Sequence, residues 1–307
     1  MAQNIFELPG TFWRGNLHTH STLSDGVLDP QEVCRRYKAE GYDFIALTDH
    51  FIGHFGYPIA DTRPFRDDSF TTILGAELHS GAMENGELWH ILAVGLPQDF
   101  APSNSPTGKP IPDQESGPEL AARARAAGAF VAVAHPEWSG MTTADARSIE
   151  AAHAVEVYNH GCLVSCDRAY GFYTLDQLLS EGRALTLCAT DDAHFSDPDA
   201  FGGWVMVKAE SNTPEALLEA LKAGHHYSST GPDLRNITWS YDEVIVESSA
   251  VQAVIVQGKG AASVGVLGES MTKTHVPLER FADCDWLRIT VTDAAGNRAW
   301  SNPHWRT

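Results

Sequence analysis

Basic residues are scarce in this chain. Its 307 residues include 21 Lys and Arg against 40 Asp and Glu, a formal net charge of −19. Such a balance disfavours nucleic acid and anionic membrane surfaces as partners, and no basic stripe with interleaved aromatics offsets it. Long apolar runs are also missing: no stretch approaches the ~20 apolar residues of a membrane-spanning helix. Cysteine is sparse and odd in number (Cys34, Cys162, Cys166, Cys188 and Cys284), with no Cys-x-x-Cys pair. Reduced cytosolic thiols are the expectation. The stretch Met1–Pro9 lacks the basic and apolar regions of a signal peptide. A cytoplasmic protein acting on a small molecule, without nucleic-acid or membrane partners, is expected. No internal repeat or low-complexity tract is present.

Histidine is plentiful, and its placement is uneven. Twelve of fourteen histidines precede residue 227; only His275 and His304 follow. The chemistry should therefore lie in the first three quarters of the chain. Its clearest signal is Asn16-Leu17-His18-Thr19-His20-Ser21. Residues two apart on a strand share a face, so His18 and His20 project side by side. Imidazole suits zinc, iron and related metals, and Asp25, one turn later, offers an oxygen.

Apolar runs alternate with helix signals down the chain. Strands are expected at 15–19, 44–47, 71–76, 88–94, 130–134, 154–158, 184–189 and 204–208. Helices are expected from Asp29-Pro30, from Leu120, through Leu175 and from Thr213-Pro214. The Pro-, Ser-, Gly- and Asp-rich 97–118 stretch reads as an exposed loop, long enough for a lid. The alternation predicts an α/β fold with a mostly parallel sheet over 1–232. After Pro232, short alternating stretches separated by turns predict a small all-β, sandwich-like domain over 233–307.

In parallel α/β folds, functional groups gather at the strands' carboxyl ends. Here that edge collects His18, His20, Asp25, His50, Glu77, His90, His135, Asp192 and His194. Asp192-Ala193-His194 repeats the i, i+2 spacing of the opening pair. Each residue alone has an ordinary structural explanation, but nine at equivalent positions do not share one. Carboxylates gathered in a cleft need cations nearby.

His18-Thr19-His20, the Asp25 turn, Thr48-Asp49-His50, Gly75-Ala76-Glu77, Ala134-His135-Pro136 and Asp192-Ala193-His194 together resemble the successive motifs of the polymerase-and-histidinol-phosphatase (PHP) superfamily. The resemblance covers about residues 14–230 and implies a distorted (β/α)7 barrel with two or three divalent ions (Zn, Mn or Fe). It implies that His18, His20, Glu77 and Asp192 hold the first ion. Glu77 would bridge to a second, held by His90 and His135. Asp25, at a position where relatives carry His, would hold a third with His50 and His194. The stretches 227–232 and 299–303 resemble a bacterial branch that includes carbaryl-type ester hydrolases and carries a C-terminal β-domain.

The resulting expectation is a metal-dependent phosphoesterase acting on a small-molecule ester, with His194, Asp192 and Glu77 at its catalytic centre. Such ions lower the pKa of water and polarise phosphoryl oxygens. Arg63, Arg66 and Arg168 are candidates to meet the phosphate, His54 and His160 to contact substrate or give a proton, and Asp191 to orient a ligand. The alternative is hydrolysis of a carboxylic ester, carbamate or amide by the same cluster. An apolar pocket without arginine, built from residues such as Trp138, Phe195, Phe55 and Trp204, would favour it. A third reading makes the C-terminal unit a carbohydrate-binding or assembly module through exposed Trp239, Trp286, Trp300 and Trp305.

Overall fold

The computed structural model describes residues 4–105 and 114–306. Part of the 97–118 loop therefore lies outside the described residues. Among the described residues up to 232 there are ten strands: β1 (Thr11–Asn16), β2 (Phe44–Leu47), β3 (His50–Phe51), β4 (Thr71–Leu78), β5 (Ile91–Val94), β6 (Phe130–Val133), β7 (Ala154–Asn159), β8 (Thr186–Thr190), β9 (Trp204–Ala209) and β10 (His226–Ser229). The helices are α1 (Pro30–Ala39), α2 (Gly117–Ala126), α3 (Thr143–Ser148), α4 (His160–Cys166), α5 (Phe172–Ser180) and α6 (Pro214–Ala223). Helix starts follow local chemistry. Asp29 caps α1 by accepting the Glu32 N–H at 2.9 Å, with Pro30 at the first helical position. A reciprocal Ser116–Glu119 capping box opens α2, and Gly224 ends α6 in the left-handed region at φ 75°.

The fold is mixed α/β around one large sheet. Its strand order is β11-β12-β14-β15-β10-β9-β1-β2-β4-β5-β6-β7-β8, where β11 (Leu234–Trp239), β12 (Glu243–Gln257), β14 (Trp286–Thr292) and β15 (Arg298–Ser301) come from the C-terminal quarter and β13 (Ser263–Pro277) pairs with β12 off this path. Over 1–232 the pairing is mixed, and parallel pairs hold only a narrow majority over antiparallel ones. Parallel pairs β1–β2, β2–β4, β3–β4, β6–β7 and β7–β8 are interleaved with antiparallel β1–β9, β4–β5, β5–β6 and β9–β10. The reason lies between β4 and β5. That connection contains no helix among its residues, so the chain turns back and β5 runs against both neighbours. His90 thus precedes an inverted strand, and the amino end of β5 lies level with the carboxyl ends of β4 and β6.

The final strand of this path, β8, lies back against β10 through side chains. Ser228 Oγ accepts the Ala189 N–H at 3.0 Å, and His226 Nε2 donates to the Leu187 carbonyl at 3.0 Å. Asn302 accepts the Leu187 N–H and donates to the carbonyls of Gly224 and His226. The C-terminal segment is continuous with the rest: β15 pairs with β10. Trp286 and Trp300 are 0% and 2% exposed and share one apolar cluster with Tyr158, Leu175 and Leu178. Arg288 makes a two-pronged bond to Asp176 of α5 at 2.8 and 2.9 Å. Two of the four tryptophans that suggested sugar stacking are therefore core residues, and a third, Trp239, is stacked 4.3 Å from the ring of His304.

Candidate metal centre

Glu77 is the hub of the site. It is the next-to-last residue of β4, is fully buried, and is ringed by histidines. Its Oε1 lies 2.6 Å from His90 Nδ1 and 3.0 Å from His135 Nε2. Its Oε2 lies 2.7 Å from His50 Nδ1, 3.5 Å from His18 Nε2 and 3.7 Å from His20 Nε2. Asp192 Oδ1 closes the far side, 2.9 Å from His20 Nε2 and 3.2 Å from His18 Nε2. Asp25 gathers a neighbouring group: its oxygens lie 3.3 Å from both His50 Nε2 and His194 Nε2. All nine sequence-nominated ligands thus meet at one rim.

The tautomers are set from outside. Glu156 accepts the Nδ1–H of His18 at 2.9 Å. Ser24 Oγ donates to Asp49, so it can only accept from His20 Nδ1. Ser139 Oγ donates to the His135 carbonyl and so accepts from His135 Nδ1. The Asp192 carbonyl takes the Nδ1–H of His194 at 3.0 Å. In all four rings Nδ1 is the nitrogen held from outside, and Nε2 is the one that faces a carboxylate. Imidazoles that ligate metals are oriented in this way. Two donors also sit on backbone that side chains rarely adopt: φ is 56° at Asp192 and 21° at His135. Such strain concentrates at functional positions, where the surrounding packing must hold it.

Charge is concentrated here. Burial would raise Glu77, but His90, His50 and His18 hold it well below the usual carboxylate range. Burial would raise Asp192 too, and His18 and His20 hold it well below. Burial lowers His20 to about 4, with His50 adding to the effect. For His50 burial also acts downward, but Glu77 and Asp25 outweigh it and raise the ring to about 10. At His194 burial is outweighed by the bond to Asp25, which leaves the pKa raised to about 8.

The donors fit a divalent metal on an observation independent of spacing. His18 Nε2 and Glu77 Oε2 are both buried, and neither has a hydrogen-bond partner. Buried polar atoms are paired in native proteins, and an unpaired one costs about 1–3 kcal/mol. A cation satisfies both at once. Four groups of donors lie within 4.8 Å of one another: His18–His20–Asp192, His18–Glu77–His135, His50–Glu77–His79–His90 and His20–Asp25–His50–His194. Mixed imidazole and carboxylate sets suit first-row transition metals.

A cleft of about 290 Å³ opens over the donors. Asp25, His50, His90, His135, Asp192 and His194 form its floor, and Trp138, Val164 and Ser165 part of its wall. Among the described residues, no Lys or Arg lines it. The nominated substrate contacts lie elsewhere. Arg63 is tied to Asp61 and Gln98 on the surface, and Arg66 to Thr72. His54 packs on Phe55, and Arg168 does not line the cleft. His160 Nδ1 is bonded to Tyr158 OH at 2.9 Å, with its ring against Gly202. Of the four nominated aromatics, Trp138 lines the cleft, edge-on to His90 and His135. Phe55 stacks on His50, Phe195 packs with Tyr37, and Trp204 lies under Arg14.

Asp191 does not touch a ligand. It organises the following loop, accepting the N–H groups of Phe201, Gly202 and Gly203 and the Tyr37 hydroxyl. The carboxylate bonded to a nominated ligand is Glu156, at His18 Nδ1, which sequence reasoning passed over inside the apolar run 154–158. His79 was missed as well, although Glu77-Leu78-His79 has the same i, i+2 spacing as His18/His20.

No protein-family model matches the sequence, and no curated protein does. Solved structures do. A two-domain protein from Bacteroides vulgatus containing a predicted PHP-like metal-dependent phosphoesterase superposes with a TM-score of 0.55 at 16% identity, covering 94% of this chain and 93% of that one. A protein from Bifidobacterium adolescentis, inferred to be a metal-dependent phosphoesterase, gives 0.41 at 14% identity over 60% of this chain and 89% of its own. An amidohydrolase from Chromobacterium violaceum gives 0.43 at 17% over the same shares. The chain therefore has the fold of the two-domain PHP-like protein along nearly its whole length.

Proposed function

We propose that this chain is a metal-dependent phosphoesterase that hydrolyses a small-molecule phosphate ester. The observation that carries the reading is the buried, unpartnered pair His18 Nε2 and Glu77 Oε2 at the centre of a ring of His, Asp and Glu donors. In this reading residues 1–232 form the distorted (β/α)7 barrel of the PHP superfamily, and 233–307 its C-terminal β-domain. His18, His20, Glu77 and Asp192 hold one ion, Glu77, His90 and His135 a second, and Asp25, His50 and His194 a third. Two or three such ions (Zn, Mn or Fe) supply the positive charge that activates water and polarises the phosphoryl group.

The chain's own residues hold that charge in place. Glu77 offers one oxygen to each side and so couples two groups of histidines. The bonds at Nδ1 of His18, His20, His135 and His194 keep each Nε2 aimed inward, as the nitrogen a metal would take. Asp192 and His194 stand between the donors and the cleft, where they meet the reacting group. Among the described residues no Lys or Arg lines the cleft, and in this reading the ions would meet the phosphate's charge. The cleft's size suits a small molecule, and the enzyme works in the cytoplasm without nucleic-acid or membrane partners.

The alternative, a carboxylic ester, carbamate or amide, is favoured by Trp138 and Val164, about 40% exposed in the wall, and by the lack of a Lys or Arg among the described lining residues. Turnover of p-nitrophenyl phosphate, a p-nitrophenyl carboxylic ester and a cyclic nucleotide by the reconstituted protein separates the two. Phosphatase activity absent from Glu77→Gln supports the phosphoesterase. Esterase activity alone replaces it with the second reading.

A further inference from the structure

The floor of the cleft carries the donors; its wall meets whatever organic group is attached to the reacting atom. Among the large apolar side chains left exposed in the described residues, two stand in that wall: Trp138 at 41% and Val164 at 40%. Trp138 is not exposed through slackness. It sits in the turn after β6, which is tied at several points. Ser139 and Met141 donate their backbone N–H groups to the carbonyls of His135 and Pro136 at 3.2 and 2.9 Å. Asn85 Nδ2 donates to the carbonyls of Ser139 and Gly140, and Glu137 accepts the Tyr170 N–H at 2.9 Å. The indole stands at 69° and 80° to the rings of His90 and His135, with centroids 5.3 and 5.0 Å away. Part of it is thus packed on two of the donors, and the rest is open to the cleft.

Val164 comes from α4. Gly161, Val164 and Ser165 recur at i, i+3 and i+4, so one face of the helix lines the cleft. Gly161 sets how near that face comes to the donors: a Cβ there would lie 2.8 Å from the Asp192 carbonyl oxygen. Val164 follows one turn later on the same face. Two apolar groups held in this way keep surface in water that a bound apolar group would cover, and an indole favours an aromatic ring as its partner. The rest of the lining does not invite a second negative charge. Asp197 is exposed in it, and among the described residues no Lys or Arg lines it.

We infer that Trp138 is a specificity-determining residue: with Val164 it takes the non-reacting part of the substrate, an uncharged apolar group of about the size of an aromatic ring. The inference rests on the phosphoesterase reading and deepens it by naming the substrate class. That class is a phosphate ester of an apolar, ring-bearing alcohol, as opposed to a nucleotide or a sugar phosphate.

The test is calorimetric binding of phenylphosphonate and methylphosphonate to the zinc-reconstituted chain, at a pH where both are dianions. The two share the phosphonate and differ in the apolar group, so their affinity ratio cancels whatever a variant does to the ions. In the wild type the ratio should be about 10-fold or more in favour of phenyl, from burial of a ring against an indole. Trp138→Ala should reduce it to about 3-fold or less, and Trp138→Phe, which keeps an aromatic ring, should retain most of it. Val164→Asn should lower it by a smaller factor. A wild-type ratio near one would overturn the inference. So would a ratio that survives both Trp138→Ala and Val164→Asn. If neither phosphonate binds, the phosphoesterase reading falls and the inference with it. If phenylphosphonate binds more tightly through Trp138 but neither phenyl phosphate nor ethyl phosphate is hydrolysed, the phosphoesterase reading falls and Trp138 keeps its role toward the apolar group of another ester.

Discussion

His18 Nε2 and Glu77 Oε2 stand 3.5 Å apart, fully buried, and neither is hydrogen-bonded. Each is held from behind. Glu156 takes the other nitrogen of His18, and His90 and His135 take the other oxygen of Glu77. The pair is rigidly placed and incomplete. Glu77→Gln would remove the negative charge while keeping the volume. We expect at least one ion to be lost per chain and hydrolysis to fall more than ~100-fold, in line with losing transition-state charge stabilisation. Elemental analysis and steady-state rates check both.

Ion removal should also reach stability. Anything that binds the folded state alone stabilises it by mass action, about 2.7 kcal/mol at 100 times Kd. Chelation should therefore lower the Tm of the wild type by several degrees and that of Glu77→Gln by much less. Equal shifts in the two proteins would contradict the placement of the ion.

Glu156 offers a separate check on how the ligands are oriented. It accepts from His18 Nδ1, from the His135 backbone N–H at 2.6 Å and from Asn159 Nδ2 at 3.0 Å. Glu156→Gln keeps the volume but can present an N–H where His18 needs an acceptor. Metal affinity should fall by about 10- to 100-fold although Glu156 is not a ligand. Chelator competition measures it.

Away from the site, His226 sets a pH dependence. Its Nε2 donates to Leu187, its Nδ1 is buried and unpaired, and burial lowers its pKa from 6.5 to about 4. Between those values the unfolded chain binds the extra proton, so stability rises with pH there and is lost as pH falls from about 6.5 to about 4. His226→Gln, which retains a donor for Leu187, should lose about 2 kcal/mol less than wild type between pH 7 and pH 5. Urea midpoints at the two pH values decide it.

The C-terminal segment is part of the same core. Trp300 packs 5.8 Å from Tyr158 and 5.5 Å from Phe172 between ring centroids. Tyr158 in turn bonds His160 at the start of α4, whose residues wall the cleft. Trp300→Ala should cost about 3–5 kcal/mol, and a chain ended at residue 232 should not fold. Denaturant unfolding of the variant and dichroism of the truncated chain test both.

The parts legible in the sequence were those with a local signature. Phe44–Leu47 is an apolar run that forms a strand buried on both faces, and Asp29-Pro30 opens a helix at that point. The i, i+2 donor pairs declared the site because a strand end leaves few ways to face them apart. The inversion of β5 was illegible, since an apolar run carries no direction. Glu156 was hidden because Val155 and Val157 flank it. A carboxylate inside a buried run nonetheless requires a partner, and that rule could have exposed it. His79 lay just past the expected strand end, whereas β4 continues to Leu78. The cleft wall was misjudged where arginines were chosen by type alone: Arg63 belongs to Asp61.

The most direct measurement is the metal content of the purified, zinc-reconstituted protein beside its Glu77→Gln variant. Two or three ions per wild-type chain, with fewer in the variant, is the result expected from the geometry around Glu77. A wild-type chain that retains no ion would contradict it, and the buried ring of histidines and carboxylates would then be structural.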